Sequence, residues 1–119
     1  MTGIRHLLSI DQFDKTGLEA IFQRSDKVRK MLACPRKRKA LNHWHDDRRV
    51  IVLFYEPSTR TKLSTMRAAE ELGAEVTSTD FAQQFSSEVK GESFKDTIRT
   101  LCALKYDLIA LRHKKIGMA

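Results

Sequence analysis

The chain has little of several things, and each shortage excludes a class of protein. Its two cysteines, Cys34 and Cys102, have neither CxxC nor metal-ligand spacing, which argues against a structural disulfide or a zinc site. No apolar run approaches the roughly 20 residues of a membrane-spanning helix, and the N-terminus lacks a signal-peptide pattern. A cytoplasmic location is therefore the expectation. Internal repeats and low-complexity segments are absent. There are only two prolines, and each marks a stop: Pro35 after a helical pattern and Pro57 after an apolar run. With 119 residues, 41% hydrophobic and 31% charged, what remains fits one soluble globular domain with a modest core.

Positive charge is in excess, with a formal net charge of +7, and the excess is local. Residues 24–39 hold eight Lys or Arg against one acid, Asp26, which equals the whole imbalance. Basic runs can bind nucleic acid, but no aromatic residue is interleaved here. A solvated loop is the preferred reading over a nucleic-acid contact.

In chain order, Ser9 to Thr16 read as a lead-in, and Thr16-Gly17-Leu18-Glu19 fits a capping box. Leu18, Ile21, Phe22, Val28 and Met31 recur at helical spacing up to about Leu32. Arg36 to Arg49 read as a connector. Within it, His43, His45 and Asp46 or Asp47 lack the spacing of a zinc site, and no metal is expected. Val50 to Tyr55 are six continuous apolar residues, the pattern of a strand buried on both faces of a parallel sheet. A helix follows from Ser58 through Leu72, with Leu63, Met66, Ala69 and Leu72 on one stripe and Gly73 as its stop. Glu75 to Thr79 form a β-branched strand, and polar residues 80–91 a long loop. Glu92 or Ser93 opens another helix, with Phe94, Ile98, Leu101 and the stem of Lys105 on its buried face. Asp107 to Arg112 make a last strand. The alternation predicts an α/β fold, a partial doubly wound parallel sheet of order helix-strand-helix-strand-helix-strand.

The chemistry concentrates in Ser58-Thr59-Arg60-Thr61. A strand, a tight loop and a helix N-terminus bearing hydroxyls and a guanidinium make an anion site. Free N–H groups and the positive dipole end face the ligand, and Arg60 adds a fork matched to phosphate oxygens. The alternative is that Ser58 or Thr59 merely caps the helix. Ligands of such sheets sit beyond the strand carboxyl ends, and Arg112-His113 lie at one such end too.

Phe54-Tyr55-Glu56-Pro57-Ser58-Thr59-Arg60-Thr61, with Lys62-Leu63-Ser64 after it, resembles the carbamoyl-phosphate signature of the transcarbamylases. The Glu-Pro pair is similar to the aspartate type more than to the ornithine type. Ser86-Ser87-Glu88-Val89-Lys90-Gly91-Glu92-Ser93 and Leu111-Arg112-His113 agree with that family in order and spacing. The resemblance implies that Ser58, Thr59, Arg60 and Thr61 hold the phosphate of carbamoyl phosphate. It implies that Arg112 bridges phosphate and carbonyl oxygens, and that Thr61 helps to polarise the carbonyl. Arg60, Thr61 and Arg112 are thus the expected catalytic residues. Ser86 and Lys90 belong to a loop that, in the family, completes the site of a neighbouring subunit in a homotrimer. His113 is expected to be structural. No cofactor or metal is implied.

The departures set limits. Lys62 stands where the family usually has arginine, and Thr65-Met66 replace a common Phe-Glu pair. Residues 1–119 match only the front part of the carbamoyl-phosphate domain and read as truncated. No residue can be assigned to clamping L-aspartate, so that substrate is expected only if a second domain or chain supplies the clamp. The lone chain is expected to be inactive. The competing readings are a non-catalytic anion-binding or assembly module and a fragment of the ornithine type.

Overall fold

The computed structural model describes residues 5–79, 93–115 and 117. The chain falls into two compact units, residues 1–39 and 40–119.

The first unit holds a short 3-10 turn, Ile10–Gln12, and helix α1, Lys15–Leu32. Ser9 and Gln12 form the capping box here, at the turn. α1 begins one residue before the predicted box and is capped otherwise: the Asp14 carboxylate accepts from the Gly17 N–H at 2.7 Å. An ionised acceptor at a helix N-terminus is favoured by both the orphan donor and the dipole. No residue of α1 is buried, and Phe22 is 62% exposed.

Pro35 does not open a connector. It is the first residue of helix α2, Pro35–Leu41, because its fixed φ and missing N–H suit the first helical position. The basic segment is therefore helical, with Arg24, Lys27, Arg29 and Lys30 on α1 and Arg36 to Lys39 on α2. All eight are exposed, as a solvated reading requires, but they do not form a loop.

The second unit is a three-stranded parallel sheet of order β2-β1-β3, formed by β1 (Arg49–Phe54), β2 (Glu75–Thr79) and β3 (Leu108–Arg112). β1 is central, and Val50 to Tyr55 are all at most 6% exposed, as the unbroken apolar run predicts. Each such buried side chain contributes about 1.5–3 kcal/mol. Ile51, Leu53 and Tyr55 pack on Leu101, with Phe94, Ile98, Ile109 and Leu111 around them. Those residues face helix α4, Phe94–Ala103. Phe54 points to the other side, where it shares a cleft with Leu63 and Met66 of helix α3, Thr59–Glu71. Helices thus cover both faces of the sheet.

Sharp ends fix the lengths of these elements. Gly73 follows α3 at φ +93°, and a Cβ there would lie 2.0 Å from the Asn42 carbonyl oxygen. Only glycine meets both demands. Lys105, at φ 64°, turns the chain after α4 and is exposed, so its stem is not part of the buried face. Asp107 ties the starts of β1 and β3 together. Its carboxylate accepts from the Arg49 N–H at 2.9 Å and from the Arg48 guanidinium at 2.8 Å. The Arg49 N–H first, and Arg48 second, hold this carboxyl below the usual carboxylate range. The loop expected over residues 80–91 lies outside the described residues.

Candidate functional site

β1 ends at Phe54 and α3 begins at Thr59, so Tyr55 to Ser58 form the tight loop between them. The order β2-β1-β3 means that the chain leaves β1 toward one neighbour and later returns to the other. The crevice between β1 and β3 is therefore the topological switch point, where ligands of open α/β sheets bind. Register puts Phe54 beside Arg112, and the Tyr55 N–H donates to the Arg112 carbonyl oxygen at 2.8 Å. These backbone bonds deliver the Arg112 side chain to the loop.

There its guanidinium makes two contacts. Nε donates to Glu56 Oε1 at 2.5 Å, and a terminal nitrogen donates to Ser58 Oγ at 2.8 Å. Ser58 occupies the N-cap position of α3 but makes no side-chain cap bond. Its hydroxyl is turned to Arg112 instead. Of the two alternatives weighed from sequence, capping by Ser58 is thus excluded, and the first-turn N–H groups of α3 keep no hydroxyl acceptor from that side chain. Thr59, Arg60 and Thr61 form that first turn and are exposed. Among the described residues Arg60 has no ion-pair partner. The arrangement can hold an oxyanion between a helix N-terminus and two guanidinium groups.

Beside this point, on the β2 side, an open cleft of about 540 Å³ is lined by Glu56, Ser58, Thr59, Lys62 and Thr79, over Phe54 and Met66. Five of the seven predicted site residues are therefore described. Ser58 and Arg112 are in direct contact, and Thr59, Arg60 and Thr61 follow within one helical turn. Ser86 and Lys90 lie outside the described residues, and with them the expectation that their loop completes the site of a neighbouring subunit. Of the four-residue metal candidate, His43 Nδ1 and Asp46 face each other at 3.2 Å on an exposed loop.

Sequence reasoning missed one participant. Glu56 figures there only within the Glu-Pro pair of the family signature, yet it is the ion-pair partner of Arg112. The signal was available: an acid between an apolar strand and a hydroxyl run, with an arginine ending another apolar strand. Only the β1–β3 register turns that signal into a contact.

A parallel α/β unit that brings a helix N-terminus, hydroxyls and the Arg112 guanidinium to its switch point has the arrangement of groups that suits a phosphate-type anion. The family described as "Aspartate/ornithine carbamoyltransferase, carbamoyl-P binding domain" matches residues 5–119. The chain belongs to this family. It is 41% identical over 113 residues to aspartate carbamoyltransferase 2, chloroplastic, of Pisum sativum, covering 95% of this chain and 28% of that one. Among solved structures it is similar to the catalytic subunit of M. jannaschii aspartate transcarbamoylase. That match has a TM-score of 0.78 and 37% identity, over 98% of this chain and 37% of that one. It is also similar to the Trypanosoma cruzi aspartate transcarbamoylase solved with carbamoyl aspartate and phosphate. There the TM-score is 0.82 and the identity 27%, over 94% of this chain and 33% of that one. The chain thus spans about a third of the length of the relatives it matches.

Proposed function

We propose that this chain binds carbamoyl phosphate as the phosphate-holding part of an aspartate carbamoyltransferase. The phosphate sits at the N-terminus of α3, against Ser58, Thr59, Arg60 and Thr61, with Arg112 closing from β3. One observation carries this reading. The Arg112 guanidinium, at the end of one strand, reaches the Ser58 hydroxyl at the start of the helix after another strand.

The chemistry follows from that placement. Carbamoyl phosphate is a small dianion, and Arg60 and Arg112 offset its charge. When an amine attacks the carbamoyl carbon, the carbon–nitrogen bond forms, charge builds on the carbonyl oxygen, and phosphate leaves with the electrons of the broken carbon–oxygen bond and takes up the proton that the amine loses. Donors fixed in advance at those atoms lower the barrier. Arg112 and Thr61 serve the carbonyl oxygen, and the α3 N-terminus serves the departing phosphate. Glu56 must release Arg112 as the ligand enters, so the pair acts as an internal stand-in for the anion.

The acceptor amine is that of L-aspartate, and the product belongs to pyrimidine biosynthesis. The names of the relatives and the Glu56-Pro57 pair support the aspartate type over the ornithine type. Aspartate binding requires residues supplied by a further domain or chain. Ser86 and Lys90 act in a neighbouring subunit of a homotrimer, in the cytoplasm.

Titrating orthophosphate and carbamoyl phosphate against wild type, Arg60→Ala and Arg112→Ala tests the site. Loss of one charge-assisted contact costs about 1.5–3 kcal/mol, an affinity drop of roughly 10- to 100-fold. Equal binding by all three proteins would remove the site.

A further inference from the structure

We propose that His113 is the positioning residue for Arg112: a neutral imidazole, with its proton on Nε2, that fixes the strand end from which the guanidinium reaches the anion. The proposal rests on the reading of Arg112 as a phosphate ligand. Arg112 is the last residue of β3, where the ladder with β1 ends. The final residue of a strand frays unless something beyond the ladder holds it. Here the next residue does so.

The His113 ring lies 4.7 Å from the Tyr55 ring and 5.7 Å from the Phe94 ring, and those two rings are 5.8 Å apart. Three separate segments, the end of β1, the start of α4 and the end of β3, thus meet in one ring cluster. The interplanar angles of 51°, 67° and 63° are tilted or edge-on, the geometry that aromatic quadrupoles favour. Tyr55 is also the residue whose N–H holds the Arg112 carbonyl, so one anchor fixes both the backbone of Arg112 and the ring that follows it.

Hydrogen bonding sets the tautomer. The Lys115 N–H donates to His113 Nδ1 at 3.0 Å. Nδ1 must present its lone pair, which leaves the proton of the neutral ring on Nε2. This bond spans the bend directly after the strand. Nε2 is buried and has no hydrogen-bond partner among the described residues. The ring is therefore engaged through Nδ1 and its two aromatic neighbours, and makes no hydrogen bond to Glu56 or Ser58. Its effect on the anion passes through Arg112.

The experiment is a double-mutant cycle on the 119-residue chain, with orthophosphate as probe. His113→Phe keeps a ring in the cluster and removes the Nδ1 acceptor. It weakens phosphate binding by about two- to tenfold, within the range of coupling between residues in contact. In an Arg112→Ala background the same change has no further effect, because the group it positions is gone. Phe94→Leu thins the cluster without touching β3 and gives a smaller loss, which also vanishes without Arg112. In wild type, the ring nitrogens of His113 give a pyridine-type shift for Nδ1 and a pyrrole-type shift for Nε2, a reading that needs no variant. A proton on Nδ1 overturns the proposal. So does a loss from His113→Phe or Phe94→Leu that is equal with and without Arg112. If Arg112→Ala alone leaves phosphate binding unchanged, the phosphate reading of the site fails first, a result separate from either of these.

Discussion

Arg112 and Glu56 form a half-exposed ion pair, with 43% and 33% of their side chains open to solvent. Such pairs add only about 0–1 kcal/mol to stability, so this contact matters more for what it occupies than for what it holds together. While Glu56 engages Nε, an incoming phosphate must compete for the guanidinium and approach a carboxylate of like charge. Glu56→Gln keeps a hydrogen-bond acceptor of similar shape and removes the charge. The difference between a charge-assisted and a neutral hydrogen bond, about 1 kcal/mol, then appears as tighter anion binding. Orthophosphate affinity should rise about fivefold in calorimetric titration. A fall in affinity would mean that Glu56 orients Arg112 for the ligand instead of competing with it.

Among the elements, β1 is the part on which the others depend, and its two ends are pinned differently. At the start, Asp107 links β1 to β3 through the Arg49 N–H and Arg48. Its folded pKa is depressed, so its stabilising contribution is present above the unfolded carboxylate value of about 3.9. That contribution disappears as pH falls below this value and through the lower folded pKa. Urea unfolding at pH 7 should show Asp107→Asn less stable than wild type, and the gap should narrow steadily below about pH 4. A gap that stays constant into acid would assign the effect to the lost geometry alone. The turn after α3 makes a sharper demand. Gly73→Ala forces a Cβ toward the Asn42 carbonyl oxygen at positive φ, and should cost at least ~1–3 kcal/mol in the same unfolding assay. A neutral outcome would show that residues 42–45 shift at little cost.

For the whole molecule, binding and turnover should separate. On the proposed reading the groups that hold phosphate lie in this chain, whereas a clamp for two carboxylates of an amino acid has no assigned residue. The 119-residue chain should bind phosphate yet form no detectable carbamoyl aspartate from carbamoyl phosphate and L-aspartate in a steady-state assay. Turnover within the ordinary enzymic range of about 1–10³ per second would show that the site requires less than the family resemblance implies. The exposed basic residues of α1 and α2 bear on solubility and association in the same molecule.

By itself the sequence determined the sheet class, the central strand and the hydroxyl-bearing turn between β1 and α3, because each is written in local pattern. Val50 to Tyr55 form one unbroken apolar run, Pro57 has no N–H for a ladder, and Ser58 to Thr61 carry their donors at consecutive positions. Local pattern misplaced what depends on competition between neighbours. Asp14 caps α1 in place of Thr16 because an ionised carboxylate is the stronger acceptor at a helix start. Pro35 begins a helix where the pattern predicted a connector, because its restriction is a benefit at the first position and a penalty only further in. Tertiary structure alone decided the rest. The β1–β3 register carries Arg112 across 54 residues of sequence to Ser58 and, with it, to Glu56. The ring cluster of Tyr55, Phe94 and His113 joins three segments that share no pattern. Strand pairing and ring packing are non-local free energies, and a residue's own neighbours in the chain carry no record of them.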